Sequence, residues 1–363
     1  MRYIKALDGV RALAILLVML FHFYFLVEVG WIGVQLFFVL SGFLITSILL
    51  EARTDELGRY LKRFYWRRSL RIFPLYYLYL IGIAGLYLAA HIPEDFTNKV
   101  PYLFFYNYNH YPIFESLSYD VTFTHFWSLS VEEQFYLFWP FVIYFLNPRQ
   151  LKTLLLTIIA GIPIFRYFIY DWLMANNYPL SDLGQIVYRL TPAQIDSFAF
   201  GAAIPVFKMD TKGIKTNYFS WAAIILFLIA GLINYSNQSI PLSSIGYPNG
   251  GTENLQHVWS YSLIDLASLG LILMVITNAN SILVRNIFAN KFMVSIGKVS
   301  YGMYVYHWVF LAGYRKIIHP YIGYRPISFL VYLALVYVVS WLSFRFFESF
   351  FIGLKDRYLV KRQ

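Results

Sequence analysis

The sequence predicts an all-α integral membrane protein of about ten transmembrane helices that form one domain over residues 1–363. Three observations lead to this prediction. First, 59% of the residues are hydrophobic and only 13% are charged, whereas soluble domains carry about 25% charged residues. Second, apolar stretches of about 20 residues, the length of a membrane-spanning helix, recur along the whole chain. Third, the basic residues collect in alternate loops between those stretches.

The apolar stretches give the positions of the predicted helices. An α-helix rises about 1.5 Å per residue, so each stretch is long enough to cross a hydrocarbon core of roughly 30 Å. The ten predicted spans are residues 9–28, 31–50, 72–90, 126–146, 151–172, 193–208, 218–235, 257–277, 293–314 and 327–350.

The positively charged residues predict the orientation of these spans. If the N-terminus is cytoplasmic, 20 of the 29 Lys and Arg residues fall in cytoplasmic segments and five fall in outside loops. Cytoplasmic loops of membrane proteins carry such an excess of positive charge. We therefore expect both termini in the cytoplasm and the long segments 91–125 and 236–256 outside.

Composition also excludes several kinds of site. The chain has no cysteine, so disulfides, thiol nucleophiles and cysteine-type zinc sites are excluded. We expect no metal site and no permanently bound cofactor. The membrane orientation accounts for the net charge of +10, so we expect membrane lipids, and not nucleic acid, beside the basic residues.

The first span begins with a cation and ends with an imidazole. In RALAILLVMLFH, ten apolar residues separate Arg11 from His22. Eleven helical residues turn through about 1100°, so the two side chains share one face about 16 Å apart along the axis. Such a polar stripe, with Asp8 one turn earlier, can line a tunnel through the protein. Alternatively, Arg11 extends to the cytoplasmic surface and His22 lies at the outer interface.

A basic cluster lies at the start of the third span. In FYWRRSLRIFP, Arg68 and Arg71 are three positions apart and therefore share a helix face. Seven basic residues between Arg53 and Arg71 lie at the cytoplasmic mouth of this span. They suit a phosphorylated ligand or, alternatively, anionic lipid headgroups.

The fourth span opens with a histidine, a serine and two acids. In THFWSLSVEEQFYLFWP, His125, Ser128 and Glu132 fall on one helical face. Glu133 points about 100° away, so we expect Glu132 to be the acid that joins His125 in an acid–base site. The alternative is a helix cap, because Ser130 and Glu133 have the spacing of a capping box.

Two further polar pairs accompany later spans. In SYGMYVYHW, Tyr304 and His307 share one face of the ninth span. In YRLTPAQIDSFAFGAA, Arg189 and Asp196 flank the sixth span. Each pair belongs either to a functional site or to a set of interior polar groups that satisfy one another.

Together these stretches resemble the membrane acyltransferase-3 family, whose members are ten-span enzymes that O-acylate bacterial surface glycans and some small molecules. The motifs that carry the resemblance are the basic residue followed after ten residues by His, R-x-x-R, and W-S-L-x-x-E-x-Q-F-Y. The resemblance extends from LDGVRALAILLVMLFH to SYGMYVYHW and RFFESFF, which is essentially the whole chain.

The resemblance implies roles for individual residues. His22 is implied as a catalytic residue with Glu132, and Arg11, Arg68 and Arg71 as the residues that bind the acyl donor. We also expect a third group, of which Trp127 and Ser128 match the family motif, to act in acceptor binding or in support of the catalytic residues: His125, Trp127, Ser128, Asp196, Tyr304 and His307.

The sequence departs from the family pattern at two places. Gln35 stands in GVQLFFVLSGF where members often carry an acid. Ser349 and Phe350 follow Glu348 where a proline is common. Neither change touches the core motifs, so they bear on local geometry.

The resemblance and the spacing imply one hypothesis for the activity. Arginines at the cytoplasmic mouth hold the phosphates of acyl-CoA, and the pantetheine arm follows the Arg11–His22 face to the histidine. There the acyl group, most simply acetyl, passes to a hydroxyl of an extracytoplasmic glycan or lipid-linked sugar. We thus expect an acetyl-CoA-dependent O-acyltransferase in the cytoplasmic (inner) membrane.

The sequence is compatible with two mechanisms and with a second function. His22 can act as a general base that Glu132 orients, or it can carry the acyl group itself. A transporter would use the same intramembrane His, Arg and Glu side chains as a proton or substrate relay. Transporters often contain repeated broken helices, and the sequence has no convincing pair of them.

Overall fold

The computed structural model describes residues 3–89, 96–114, 122–211, 213–238 and 240–360. Within these ranges the chain forms helices and no β-strand, so the all-α prediction is confirmed there. The helices are α1 Lys5–His22, α2 Ile32–Glu51, α3 Leu57–Ala89, α4 Val100–Phe104, α5 Tyr111–Phe114, α6 Phe126–Phe145, α7 Pro148–Ala175, α8 Leu180–Arg189, α9 Ile195–Val206, α10 Ile214–Asn237, α11 Gln256–Thr277, α12 Ile282–Ile287, α13 Lys291–Ile317, α14 His319–Ile322, α15 Arg325–Ser343 and α16 Ser349–Val360.

Shorter helical segments connect these helices. The chain forms 3₁₀ turns at Glu28–Trp31, Tyr108–His110, Pro192–Gln194, Met209–Thr211, Leu242–Ser244 and Glu253–Leu255, and a π-helical segment at Phe344–Glu348 joins α15 to α16.

Six helical segments of the described chain are long and apolar enough to cross a membrane. They are Glu28–Glu51, Leu57–Ala89, Pro148–Ala175, Lys215–Asn237, Glu253–Thr277 and Arg325–Leu354. The other four predicted spans are also helical but do not meet the same criterion. Among them, α9 has only 12 residues. The total of ten spans and the cytoplasmic termini therefore stay predictions.

The first predicted span, residues 9–28, is shorter in the structure. Helix α1 ends at His22. Tyr24 and Phe25 then adopt positive φ angles of 53° and 52°, which residues other than glycine seldom adopt. This turn places His22 at the end of a helix instead of in its middle, with Phe25 exposed beside it.

Glycines allow two pairs of helices to pack backbone against backbone. A Cβ atom on Gly42 of α2 would lie 2.1 Å from the carbonyl oxygen of Phe198 in α9. A Cβ atom on Gly201 would lie 1.9 Å from the carbonyl oxygen of Val39. Small residues permit this close approach between membrane helices. Helices α2 and α9 are therefore packed closely against each other.

The second close pair, α1 and α13, sets the position of the two central histidines. A Cβ atom on Gly297 would lie 1.9 Å from the carbonyl oxygen of Asp8. From this contact the two helices run side by side in the same direction. His22, at the end of α1, then meets His307 of α13.

Helix α3 is joined to α6 by tyrosine hydroxyl groups. The hydroxyl of Tyr60 donates to the carbonyl oxygen of Pro140 at 3.0 Å, and that of Tyr65 donates to the carbonyl oxygen of Leu137 at 2.7 Å. These bonds hold α3 against α6, and Arg68 consequently reaches the acids of α6.

Candidate active site

Two cavities meet in the centre of the bundle. The first, of about 200 Å³, is lined by Arg11, Arg68, Arg71 and Glu132, and we call it the arginine cavity. The second, of about 610 Å³, is lined by His22, His125, Trp127, Arg189 and Arg315 among others, and we call it the histidine cavity. Val34 and Tyr304 line both cavities. The two spaces are therefore neighbours across these two side chains.

Helix α1 contributes one polar side chain to each cavity. Arg11 lines the arginine cavity and His22 lines the histidine cavity. Arg11 is held in place by Asp8, whose Oδ1 atom accepts from Nη1 at 2.8 Å. The eleven-residue spacing therefore places a cation and an imidazole on one helix face that passes from one cavity to the other.

Arg68 of the arginine cavity contacts two acids and an aromatic ring. Its Nη2 lies 3.3 Å from Oε1 of Glu132, and its Nε lies 3.8 Å from Oε1 of Glu133. Its guanidinium carbon lies 3.7 Å from the centre of the Tyr136 ring. Arg71, one turn further along α3, lines the same cavity. Both arginines of the R-x-x-R motif thus face one space.

Glu132 lies with the arginines and not with the histidines. Its Oε1 accepts hydrogen bonds from the hydroxyl groups of Ser41 and Tyr136 as well as from Arg68. His125 instead directs Nε2 to the carbonyl oxygen of Val305 at 3.2 Å. The two residues do share a face of α6, but seven residues of helix separate them by about 10 Å along the axis. That face passes from one cavity to the other.

The start of α6 differs from the capping-box alternative. The helix begins at Phe126 with His125 as its N-cap residue. The hydroxyl of Ser130 donates to the carbonyl oxygen of Phe126 at 3.0 Å. Ser130 is therefore inside the helix, and the prediction of a capping box at Ser130 and Glu133 is wrong.

Glu133 differs from its predicted surroundings as well. The sequence indicated a side chain pointing away from the site, yet Glu133 contacts Arg68. The long guanidinium group of Arg68 extends across the α6 surface and contacts two successive residues. Oε1 of Glu133 is buried and accepts no hydrogen bond within the described residues.

At the wall of the histidine cavity, His22 contacts a second imidazole, that of His307, which lies behind it. Nδ1 of His22 lies 3.0 Å from Nε2 of His307, and Nδ1 of His307 lies 2.6 Å from the carbonyl oxygen of Tyr304. A carbonyl oxygen can only accept, so Nδ1 of His307 carries the proton. Nε2 of neutral His307 must then accept from Nδ1 of His22. This assignment leaves the lone pair of His22 on Nε2.

A second group of polar side chains joins α6 to α13. The hydroxyl of Tyr304 donates to the carbonyl oxygen of His125 at 2.9 Å and also contacts the hydroxyl of Ser128. The His125 ring lies 5.0 Å from the His307 ring. The motif residues His125, Ser128, Tyr304 and His307 are thus brought together where the two cavities meet.

Aromatic side chains form much of the histidine cavity. Trp127 lines it and packs against Tyr188 with 4.7 Å between ring centres. Trp31 and Trp308 are further wall residues, and the ring of Trp308 lies 4.6 Å from the ring of His22. Such surfaces suit the apolar faces of a ligand ring, while the polar groups fix its orientation.

A comparison with known families decides the classification. The profile of the family described as an acyltransferase domain matches residues 4–345. The chain belongs to this acyltransferase-3 family. The resemblance seen in the sequence motifs is confirmed, and the arginine and histidine cavities are features of a membrane acyltransferase.

Individual relatives agree with this assignment. The chain is 28% identical to the peptidoglycan O-acetyltransferase OatA of Listeria monocytogenes over 98% of this chain and 58% of that protein. It is 31% identical to a predicted O-acetyltransferase of Staphylococcus aureus over 96% of this chain and 57% of that protein. The chain thus spans less than two thirds of the length of these relatives. No solved structure matches it.

One candidate residue of this acyltransferase lies away from both cavities. Asp196 forms a fully buried ion pair with Arg166 and accepts from the hydroxyl of Ser262 at 2.7 Å. It lines neither cavity. Its predicted part in acceptor binding has no geometric support, because its carboxylate is directed to α7 and α11.

The acyltransferase also has a functional candidate that none of the sequence motifs contains. Arg315, near the end of α13, lines the histidine cavity, and its Nη2 donates to the carbonyl oxygen of His22 at 2.9 Å. Its spacing of eight residues from His307 was an available signal, because two turns of helix place both side chains on neighbouring parts of one face.

Proposed function

We propose that this membrane acyltransferase moves an acyl group, acetyl first of all, from cytosolic acyl-CoA to a hydroxyl of an extracytoplasmic glycan. One observation carries the proposal. A cavity lined by three arginines and a cavity lined by His22 and His125 meet at Val34 and Tyr304. A phosphorylated donor and a hydroxylic acceptor can therefore approach the same point from two different spaces.

The arginine cavity supplies the chemistry for the donor. Coenzyme A carries phosphates at one end, and arginine forms strong, often bidentate, hydrogen bonds to phosphate. Arg68 and Arg71 bind these phosphates at the cytoplasmic mouth, and the pantetheine arm extends past Arg11 toward Tyr304. Glu132 positions Arg68 through their direct contact.

The histidine cavity supplies the base. Nε2 of His22, the nitrogen that keeps its lone pair, takes the proton from the acceptor hydroxyl. The hydroxyl oxygen attacks the thioester carbonyl carbon, and the carbon–sulfur bond breaks. The proton then passes from His22 to the departing thiolate, which leaves as the CoA thiol. His307 stabilises the imidazolium by accepting from Nδ1 of His22.

Direct transfer requires both substrates to be bound at once, and the shared wall of the two cavities supports this mechanism. The other mechanism has the acyl group on Nε2 of His22 before the acceptor arrives. Rapid quenching of the protein with radiolabelled acetyl-CoA and no acceptor distinguishes the two. We expect no labelled protein, whereas label that is absent in His22→Ala would identify an acyl-histidine.

The relatives suggest which acceptor to test and in which membrane the protein is located. OatA is named as a peptidoglycan O-acetyltransferase. We propose a cell-envelope glycan as acceptor, with peptidoglycan fragments the first to be tested, and the cytoplasmic membrane as the location.

The test is acetyl transfer by the purified full chain in proteoliposomes. Acetyl-CoA is supplied on one side and peptidoglycan oligosaccharides on the other, and mass spectrometry detects a mass increase of one acetyl group. We expect ester formation with the wild-type protein and none with His22→Ala. Movement of the oligosaccharide or of protons without ester formation would favour the transporter alternative.

A further inference from the structure

The wall of the histidine cavity beside His22 carries positive charge. Arg315 lines the cavity, and Glu28 is the one acidic residue of the described chain that lines it. No ion pair joins Glu28 to Arg315 within the described part of the chain. This wall therefore differs from the arginine cavity, where Glu132 and Glu133 contact Arg68.

Arg315 is held by contacts that, within the described residues, include no carboxylate. Its Nη2 donates to the carbonyl oxygen of His22 at 2.9 Å, and its guanidinium carbon lies 4.5 Å from the centre of the Tyr24 ring. Arg11, Arg68 and Arg166 each form an ion pair with Asp or Glu, but Arg315 forms none among the described residues. Its charge is thus available to a ligand in the cavity.

Two buried N–H groups next to His22 also have no acceptor. Nε of Arg315 and Nε1 of Trp308 make no hydrogen bond within the described residues. Buried donors are nearly always satisfied by protein, water or ligand. Both residues line the histidine cavity, so this wall contains donors that the described residues do not use. An occupant rich in acceptor atoms and negatively charged matches it best.

We infer that the acceptor carries an anionic group on the acylated sugar or on the next one, and that Arg315 binds this group. This inference rests on the proposed function, since it names the class of acceptor for the same site. Because Arg315 contacts the backbone of His22 directly, the anion lies close to the reacting hydroxyl. Both a sugar carboxylate and a sugar phosphate offer the required oxygen atoms.

The test compares three acceptors that differ in charge. The first is a muramic-acid disaccharide with its free carboxylate, the second is the same disaccharide as its carboxamide, and the third is the carboxamide with a diphosphate at its reducing end. We expect wild-type kcat/KM to be about 10- to 100-fold higher for at least one anionic acceptor than for the neutral one. A preference for the first identifies a carboxylate, and a preference for the third alone identifies a phosphate.

Variants of Arg315 show whether this residue is the cause. In Arg315→Gln, kcat/KM for the anionic acceptor should fall until it equals that for the neutral one, and Arg315→Lys should recover part of the preference. Lys316→Gln, which removes the same charge from the exposed neighbour, should keep the wild-type ratio. If Arg315 only positions His22, all acceptors lose activity equally and the ratio is unchanged, which overturns the inference.

Direct binding separates this inference from the proposed function. Titration of the three disaccharides into His22→Ala, which has no base, measures acceptor affinity without catalysis. The anionic acceptor should bind about tenfold or more tightly than the carboxamide, and the added substitution Arg315→Gln should remove the difference. Equal affinities in the presence of Arg315 would contradict the inference. Absence of acetyl transfer by the wild-type protein would contradict only the proposed function.

Discussion

Nδ1 of His22 lies 3.0 Å from Nε2 of His307. The carbonyl oxygen of Tyr304 fixes the proton of His307, and the hydroxyl of Tyr332 donates to the His307 carbonyl oxygen at 2.7 Å. His307 consequently holds the His22 ring at Nδ1, and His307 is itself held by Tyr304 and Tyr332. Its Nε2 is the nitrogen that remains for a substrate in the histidine cavity.

The first prediction concerns this histidine pair. His22→Ala should reduce the rate of acetyl transfer by about 10²–10⁴-fold, because it removes the base. His307→Phe keeps an aromatic ring but cannot accept from His22, and it should reduce kcat by about 10²-fold. The double variant should be no slower than His22→Ala, since residues that act as one unit are not additive. Steady-state acetyl transfer in proteoliposomes measures all three.

His110→Phe is the matched control for these variants. His110 lies in the Tyr108–His110 turn and lines neither cavity, so its substitution should leave kcat within about twofold. Fully additive losses in the double variant would contradict a His22–His307 unit.

The second prediction concerns donor binding by the R-x-x-R motif. Arg68→Ala and Arg71→Ala should each weaken binding of acetyl-CoA by about 10- to 100-fold, because charge-assisted hydrogen bonds to phosphate contribute roughly 1.5–3 kcal/mol. Lysine should restore only part of the affinity, since it lacks the bidentate geometry. Isothermal titration of the detergent-solubilised protein measures this directly.

Arg59→Gln is the control for donor binding. This residue lies on the same helix with 72% of its side chain exposed, so CoA affinity should not change. If Arg68→Ala binds CoA normally but fails to insert into the membrane, the basic cluster is a lipid anchor.

Part of this site follows from helical periodicity, and part depends on contacts between distant segments. The eleven-residue spacing predicts that Arg11 and His22 share a face, and the i, i+3 spacing predicts the same for Arg68 and Arg71. In the structure Arg68 and Arg71 line one cavity, while Arg11 and His22 line two adjoining cavities. Periodicity gives the direction of a side chain but not the helix it meets. The His22–His307 contact joins residues 285 positions apart, and it depends on the close packing at Gly297.

Glu132 and Arg315 also show that the local sequence does not give the partner of a side chain. Glu132 does lie on the predicted face of α6, yet its partner is Arg68 of α3, because depth in the bundle decides which cavity a residue reaches. Arg315 belongs to none of the sequence motifs, and its local sequence does not indicate that the end of α1 lies beside it.

The third prediction separates the two acids of α6. Glu132→Gln should raise the KM for acetyl-CoA by about tenfold and leave acceptor KM unchanged, because Glu132 contacts Arg68, Ser41 and Tyr136 in the arginine cavity. Glu133→Gln should strengthen CoA binding a few-fold, since it removes a negative charge near the donor phosphates and its Oε1 has no hydrogen bond to lose among the described residues. A loss confined to kcat in Glu132→Gln would instead support its role in orienting His22.

The fourth prediction concerns a buried chain of amides and carboxyl groups. Gln194 donates from Nε2 to the carbonyl oxygen of Tyr188 at 2.7 Å, so its Oε1 accepts from Nε2 of Gln35 at 2.9 Å. Oε1 of Gln35 then lies 2.7 Å from the hydroxyl of Ser197, which must donate to it. The 2.8 Å contact between Ser197 and Oδ2 of Asp265 consequently requires a protonated Asp265.

Substitution by asparagine distinguishes this acid from its neighbour Asp196. Asp265→Asn keeps a donor toward Ser197, so we expect a loss of stability below about 1 kcal/mol. Asp196→Asn leaves Arg166 buried without its counter-charge, which should cost about 3–5 kcal/mol. Thermal unfolding in detergent should therefore give a much lower midpoint for Asp196→Asn. Equal midpoints would contradict the protonated state of Asp265.

The last prediction tests the orientation of the chain and the side on which the histidine cavity opens. Single cysteines can be introduced into this cysteine-free chain at Asn98 and Asn249 on the expected outer side, and at Glu56 and Thr211 on the expected inner side. Asn249 lines the histidine cavity, so its accessibility also reports the route of the acceptor. An impermeant thiol reagent applied to intact cells should label positions 98 and 249 and should label 56 and 211 only after permeabilisation. The positive-inside bias is the physical reason for this orientation. Labelling of 56 and 211 in intact cells without labelling of 98 would reverse the topology, and an acceptor reaching His22 would then have to come from the cytoplasm.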